Sequence, residues 1–272
     1  MTISEESWAN YISNLRKINN KAAELMLDFM HLHRDEDGLW NSLEARQSII
    51  EYAYGISGKY GEAAAELACE MYDSVGALSD VVIPAAVPAE VPTYADIAKA
   101  VNGVLKQTAE AQMVASAVAR QVKMVSVDTV MKNALRDGAQ WAWIPRGDTC
   151  AYCMALAANG WQNASKKALR NGHAEHIHAN CDCTYAVRFD TNTEVEGYNS
   201  EDYMDDFQNA LDEQGIDENV EDLHYQQMNS EAINAVRREN YAKNREKINA
   251  QKRSAYAKRQ ELNSSKAEEA DV

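Results

Sequence analysis

Residues 148–153 read DTCAYC and residues 178–183 read HANCDC, and these two short stretches hold four of the five cysteines of the chain. Three of its six histidines, His173, His176 and His178, precede the second cysteine pair. Two Cys/His turns joined by a loop are typical of a structural zinc site, because Zn²⁺ prefers thiolate and imidazole ligands in a tetrahedral arrangement. We therefore predict one zinc ion held between the two turns.

The cluster contains more candidate ligands than one tetrahedral ion can use. The candidates are Cys150, Cys153, His178, Cys181 and Cys183. One ligand set consists of the first four residues, whose two turns have matched spacing. The other set replaces His178 with Cys183, so that all four ligands are thiolates. We expect His173 and His176 to lie in solvent or to support a ligand from outside the coordination sphere.

The predicted metal site is structural rather than catalytic. A catalytic zinc needs an open ligand position and a general base. Glu175 and Asp182 are nearby carboxylates, but thiolate-rich sites are usually closed, so we predict that the protein is not an enzyme. A reduced or redox-active cysteine cluster is the alternative. Cys69 lies far from the cluster in a helical stretch, where we expect a small buried apolar side chain.

Composition and charge exclude several classes of protein. The chain has 272 residues, of which 46% are hydrophobic, and a net charge of −15 at pH 7. This charge disfavours binding of the whole body to nucleic acid or to an anionic membrane. No run approaches the length of a membrane-spanning helix, and residues 1–6 lack the features of a signal peptide. We expect no membrane contact, and synthesis in a reducing compartment.

The chain before the cluster is predicted to be helical. From Tyr11 to Phe29, apolar residues recur every three or four positions and so share one helix face. Residues 81–92 carry three of the four prolines, which excludes a helix and favours an extended spacer. One long helix or two in series follow and end near Gly138. This part divides into an N-terminal helical region (1–80), a linker (81–92) and the following helix or helices (93–139).

The predicted metal module spans residues 140–190 and ends in a strand at residues 185–189. The composition then changes twice: it becomes acidic at residues 191–230, and it becomes basic in the stretch that follows. No hydrophobic pattern crosses Asp190, so we expect the body up to this residue to fold without the tail.

The basic stretch contains an internal repeat with a period of 15 residues. Residues 231–243 and 246–258 are identical at eight of 13 positions. Fifteen residues is about four helical turns, so both copies project similar faces of a basic helix at 231–262. A polar tail at 263–272 is expected to be disordered. The helix could bind nucleic acid, an acidic protein or the acidic segment, or be solvated. The candidate nucleic-acid ligands are Arg237, Arg238, Lys243, Arg245, Lys252, Arg253 and Lys258.

The sequence around the cysteines resembles the minor head proteins of tailed bacteriophages, including head-morphogenesis proteins related to the Mu-type minor head protein. The resemblance is carried by residues 143–157, WIPRGDTCAYCMALA, and residues 178–184, HANCDCT. An apolar strand and an aspartate follow the cysteines in this family, and residues 187–190, VRFD, fill that place. With weaker similarity at 59–65 and 197–203, the resemblance extends over roughly residues 40–210 and leaves out the basic repeat.

The resemblance implies a virion component, present in few copies in the capsid interior or near the portal, and in the host cytoplasm during assembly. Its implied partners are capsid or portal proteins, and packaged DNA for the basic helix. The predicted fold class is mainly α: a helical body with a small α+β zinc-ribbon-like module and a C-terminal basic helix.

Two other functions compete with the minor head protein. The first is a nucleic-acid-binding protein that acts through its basic helix. The second is a metal-dependent nuclease of the His-Asn-His type. Against the nuclease, no Asn and His at a suitable spacing follow the cluster, and His224 stands alone in an acidic context.

Overall fold

The computed structural model describes residues 2–34, 40, 42–79, 81–107, 110–145, 151–164 and 183–213. Its helices are α1 (Glu5–Leu32), α2 (Leu43–Leu78), α3 (Tyr94–Leu105), α4 (Ala111–Asp137), α5 (Ala151–Ala158) and α6 (Ser200–Glu213). Its strands are β1 (Thr2–Ile3), β2 (Gln140–Ile144), β3 (Gln162–Asn163), β4 (Thr184–Arg188) and β5 (Glu194–Val195). Helices hold 68% of these residues, which confirms a mainly α protein. The loop of the predicted zinc ribbon and the basic helix lie outside the described residues.

Helix α1 turns the face predicted from its periodicity towards the core. Tyr11, Leu15 and Ala22 are buried. Leu25 and Phe29, nearer the C-terminal end of the helix, are only partly covered. The apolar face of α1 is therefore buried along most of the helix and only partly buried near its C-terminal end.

Helix α4 is the centre of the helical body. It contacts α1, α2 and α3, and its buried positions lie all round the helix, including the polar Ser126, Thr129 and Asn133. A helix that is buried on all sides has no amphipathic stripe. The region predicted as one long helix or two in series forms two, α3 and α4.

The proline segment, residues 81–92, is extended, as its prolines predict, and lies along α2 and α4. The Val87 backbone donates to Asn133 Oδ1 (2.9 Å) and accepts from Asn133 Nδ2 (2.8 Å). The Ala89 backbone N–H donates to Thr129 Oγ1 (3.0 Å). The buried side chains of Thr129 and Asn133 thus find hydrogen-bond partners in this segment, as buried polar groups must.

The helices before and after the proline segment share one hydrophobic core. At Gly61 of α2, an added Cβ would lie 3.1 Å from Val125 of α4 and 3.2 Å from Val91 of the proline segment. The absence of a side chain at this position lets three parts of the chain approach one another closely.

A three-stranded antiparallel sheet covers one end of the helical body. Its order is β3-β2-β4, and the register pairs Trp143 with Tyr185 and Ile144 with Thr184. Gly138, in the left-handed conformation with a φ of 66°, ends α4 and leads directly into β2. This turn places the sheet at the C-terminal end of α4.

The packed structure continues beyond Asp190, where we expected the body to end. β5 pairs in parallel with β1, so the beginning of the chain meets the residues after the sheet. Glu196 accepts a hydrogen bond from the Glu5 backbone N–H (2.9 Å), and Tyr198 donates one to the Ala157 carbonyl (2.7 Å). α6 packs on α5. The change to an acidic composition therefore does not mark the end of the packed chain.

Candidate metal centre

Two of the five candidate metal ligands, Cys153 and Cys183, lie in the described part of the chain. Cys150, His178 and Cys181 lie outside it, as do His173, His176, Glu175 and Asp182. The same holds for the candidate nucleic-acid ligands Arg237, Arg238, Lys243, Arg245, Lys252, Arg253 and Lys258. The geometry of the site is therefore that of the two cysteines and their surroundings.

Cys153 lies in the first turn of α5, and its residue is 2% exposed. α5 packs against β2 on one side and α6 on another. Leu156 and Ala157, one turn further along the helix, are equally buried. The thiol of Cys153 is thus held inside the protein by a helix that is itself fixed on two sides.

Cys183 directly precedes β4 and is 1% exposed. Because Thr184 pairs with Ile144, the last residue of β2, Cys183 comes next to the point where the chain leaves β2 towards α5. Cys153 and Cys183 both belong to the large hydrophobic core of the protein. The segments that carry them both contact β2.

Aromatic rings surround this end of the sheet. The ring of Tyr185 packs edge-on against Trp141 and Trp143, with centroids 4.8 Å and 4.7 Å apart. All three residues are at most 2% exposed. Because Cys183 is two residues from Tyr185, these rings give the beginning of β4 an apolar environment that keeps water away.

A charged network at the end of α4 joins the helices to the sheet. Arg136 donates two hydrogen bonds of 2.7 Å to the carboxylate of Asp137, and others to the Pro84 and Ala85 carbonyls. The Tyr72 hydroxyl donates to Asp137 (2.9 Å), and the Tyr72 ring packs edge-on against Phe189, which follows β4. The hydrogen bonds from Arg136 hold the pKa of Asp137 below its ordinary value. Burial raises the pKa of Tyr72.

Asp190, which follows the last strand of the sheet, fixes the turn towards β5. Its carboxylate accepts hydrogen bonds of 2.7 Å from the Asn192 and Thr193 backbone N–H groups. Desolvation raises the pKa of this carboxyl, but the hydrogen bonds outweigh it, so the pKa of Asp190 lies below its ordinary value. The aspartate singled out in the resemblance thus has a structural role in the turn.

The burial of Cys153 and Cys183 fits a closed zinc site between α5 and β4. Thiolates in an apolar shell suit a structural ion that water does not reach. In the part of the chain that the structure describes, no group of three or more His, Cys, Asp or Glu could hold a metal ion. The remaining ligands would therefore be supplied by residues 150 and 178–181.

The comparison with protein families matches the VG15 protein model over residues 2–210. The chain belongs to the VG15 family of phage gene products. The comparisons with curated proteins and with solved structures found no match.

The VG15 match covers nearly all of the described elements and stops before the basic repeat. The family assignment confirms the phage origin implied by the cysteine motif. Across the described segments, no helix of this VG15 family member has the length and apolar composition needed to cross a membrane.

Sequence reasoning missed the residues that fix the site from outside. Arg136, Asp137, Glu196 and Tyr198 act through contacts with residues 41 to 191 positions away in the chain. Only Arg136 has a local signal, because a basic residue in the last turn favours a helix end. Tyr198 lies in a stretch of the resemblance, residues 197–203, but no local pattern identified its contact or those of Asp137 and Glu196.

Proposed function

We propose that this VG15 family member is a minor head protein of a tailed phage. It is a structural virion component in the capsid interior or near the portal, and it acts in head assembly or DNA delivery. The observation that supports this most is the burial of Cys153 and Cys183, because these two described residues of the motif that resembles minor head proteins belong to the core. Its partners are capsid or portal proteins.

The proposed zinc ion is structural. Cys150, Cys153 and Cys181 would supply three ligands, and either His178 or Cys183 the fourth. When bound, zinc would supply a cross-link between α5 and the segment leading to β4, with no catalytic role. The protein's own part is to hold two thiols in a dry, apolar environment.

Fractionation of purified phage particles tests the virion role. We expect the protein in DNA-filled heads and in emptied capsids at a small, fixed copy number, and not in detached tails. A phage with a stop codon in this gene should yield no infectious particles, and complementation should restore them. Absence of the protein from particles that are fully infectious would contradict the proposal.

Nucleic-acid binding through the basic repeat is the second candidate function. Residues 231–259 carry nine Lys and Arg against three Asp and Glu, which is a net charge of +6 in an otherwise acidic chain. Binding would be independent of sequence, with a slope of about −4 for log affinity against log salt concentration, if about half of the basic residues reach phosphates. Duplex retention by the full chain at two salt concentrations measures this.

A metal-dependent nuclease is the least supported reading. Incubation of plasmid DNA with the zinc-loaded protein, with and without added Mg²⁺ or Mn²⁺, separates it from the structural role. We expect no cleavage above that of a Cys153→Ala variant. Cleavage that depends on Mg²⁺ or Mn²⁺ would replace the structural reading with an enzymatic one.

A further inference from the structure

An open groove of about 620 Å³ lies between the C-terminal half of α1 and the N-terminal half of α2. It is on the part of the helical body furthest from the sheet, because the sheet follows the C-terminal end of α4. The residues that line it include Leu25, Phe29, Tyr52, Ile56 and Tyr60. Its lining is therefore mainly apolar and aromatic, as in many protein-binding grooves.

Three stacked rings form one wall of the groove. The Phe29 ring lies between His33, at 3.9 Å and 16°, and Tyr52, at 4.0 Å and 11°. His33 is exposed, and Phe29 and Tyr52 are half-buried. A row of nearly parallel rings offers a flat apolar surface that gains free energy when a second apolar surface covers it.

The groove has room for the side chains of a helix. Gly55 lines it, and no heavy atom lies within 4 Å of an added Cβ at this position. The two charged side chains of the lining, Glu51 and Lys59, have opposite signs. Apolar contacts rather than local charge would therefore select the occupant, as when a helix lays its apolar anchors into a groove.

We propose that the groove binds the basic repeat, residues 231–259, of the same chain. If the repeat is helical, its first copy presents Ile233, Val236 and Tyr241 on one side, and its second copy presents Ile248 and Tyr256. These side chains would enter the groove together with the aliphatic stems of Arg237 and Lys252, which lie on the same side of the helix. Most of the other Lys and Arg side chains would be directed outward.

Charge and chain length favour this occupant. Residues 1–213 carry 17 Lys and Arg and 31 Asp and Glu, a net charge of −14, against +6 for residues 231–259. The opposite charges keep the repeat close to the body. The 17 residues between Glu213 and Glu231 span up to about 58 Å when extended. α6 packs on α5 at the sheet end of the body, where Tyr72 of α2 is bonded to Asp137. The distance along α2 from Tyr72 to Tyr52 is about 30 Å, which is shorter than the extended linker.

Filling the groove in the full chain tests the proposal. Gly55→Leu places a side chain in the groove and favours the helix. Gly103→Leu is the matched control, because Gly103 is an exposed helical glycine of α3 with no atom within 4 Å of its added Cβ. We expect trypsin to cleave residues 231–259 several-fold faster in Gly55→Leu than in wild type or Gly103→Leu. Ile233→Asp and Ile248→Asp, which leave the body unchanged, should have the same effect.

Cross-linking of lysines identifies the occupant directly. A short amine-reactive linker should join Lys59 to a lysine of residues 243–258 within one chain, as mixed isotope-labelled and unlabelled protein can establish. Equal cleavage rates in all variants, or no such link, would overturn the proposal. Links only between different chains, together with self-association that Gly55→Leu abolishes, would also overturn it and assign the groove to a second copy.

Discussion

At the scale of single residues, Gly61 sets how closely α2 approaches α4 and the proline segment. A Cβ at this position would press on Val125 and Val91 from two sides, at 3.1 and 3.2 Å. Both neighbours are β-branched and stiff, so they can give way only by moving the backbone. The helix propensity gained from alanine, about 1 kcal/mol, competes with an overpacking cost of about 1–3 kcal/mol.

We predict that Gly61→Ala lowers the free energy of unfolding by about 1 kcal/mol, because overpacking outweighs propensity. Gly58→Ala is the control three positions earlier in α2, where no atom lies within 4 Å of the added Cβ. It should raise the free energy of unfolding by about 0.5–1 kcal/mol. Urea unfolding followed by circular dichroism measures both. A higher free energy of unfolding for Gly61→Ala than for wild type would show that Val125 and Val91 can accommodate the added methyl group.

Asp137 makes stability depend on pH. Its hydrogen bonds from Arg136 lower the pKa of the folded state below that of the unfolded chain. It therefore stabilises the fold above the unfolded pKa, about 3.9, and this contribution is lost as the pH falls through the lower folded pKa. Burial raises the pKa of Asp128, so that carboxyl has the opposite effect and stabilises the fold relatively more when protonated.

We predict that Asp137→Asn costs about 1–2 kcal/mol at pH 7, because a charged hydrogen-bond acceptor is lost. Towards pH 2 the difference from wild type should shrink, since the Asp137 carboxyl takes up a proton as the pH falls through its lowered pKa. Glu62→Gln, at an exposed position of α2, should change stability by less than about 0.5 kcal/mol at either pH. Unfolding curves at the two pH values measure the effect. A constant difference between wild type and Asp137→Asn would contradict it.

At the scale of elements, the metal site should stabilise more than its own loop. Cys153 on α5 and Cys183 before β4 belong to the core that α1, α2 and α4 share. A metal ion bound by them therefore cross-links elements of this core, and its binding free energy contributes to folding of the whole chain.

We predict one tightly bound Zn²⁺ per chain, and a lower melting temperature of the helical circular dichroism signal after chelation. Cys153→Ala should release the metal, whereas Cys69→Ala, on α2, should retain it. Cys183→Ala and His178→Ala distinguish the two ligand sets, since only one of these substitutions should release the ion. Elemental analysis of protein purified without added metal gives the ratio. A ratio near zero with intact thiols would exclude the site.

The sequence predicted elements with a local signal and missed those created by distant contacts. The periodicity of α1, the prolines of residues 81–92 and Gly138 each act within a few residues of themselves, so their effects were predictable. β1 and β5 are two residues long and pair across more than 190 positions, so neither has a pattern of its own. α6 lies in an acidic stretch that composition alone assigned to the tail. Of the candidate site, the sequence identified Cys153 and Cys183 but not the contacts that bury them.

At the scale of the whole molecule, the beginning of the chain and the residues after the sheet, 194–196, hold each other in place. The core runs from Ile3 in β1 to Val195 in β5. Glu196 binds the backbone N–H of Glu5 at the beginning of α1, where the unpaired N–H groups of a helix favour a carboxylate. The body therefore closes only when the chain beyond Asp190 has returned to the N-terminus.

We predict that truncation after Glu213 leaves a folded body, whereas truncation after Thr191 destabilises it. The shorter protein loses the β1–β5 pairing, the Glu196 contact and the Tyr198 hydrogen bond to the Ala157 carbonyl. It also loses α6, which covers α5 and thus the helix that carries Cys153. Each lost hydrogen bond costs about 1 kcal/mol, so several together are a large part of a typical stability of 5–15 kcal/mol. Thermal melts and zinc content of the two proteins measure this. Equal melting temperatures of the two truncated proteins would show that the folding unit ends near Asp190, as the sequence predicted.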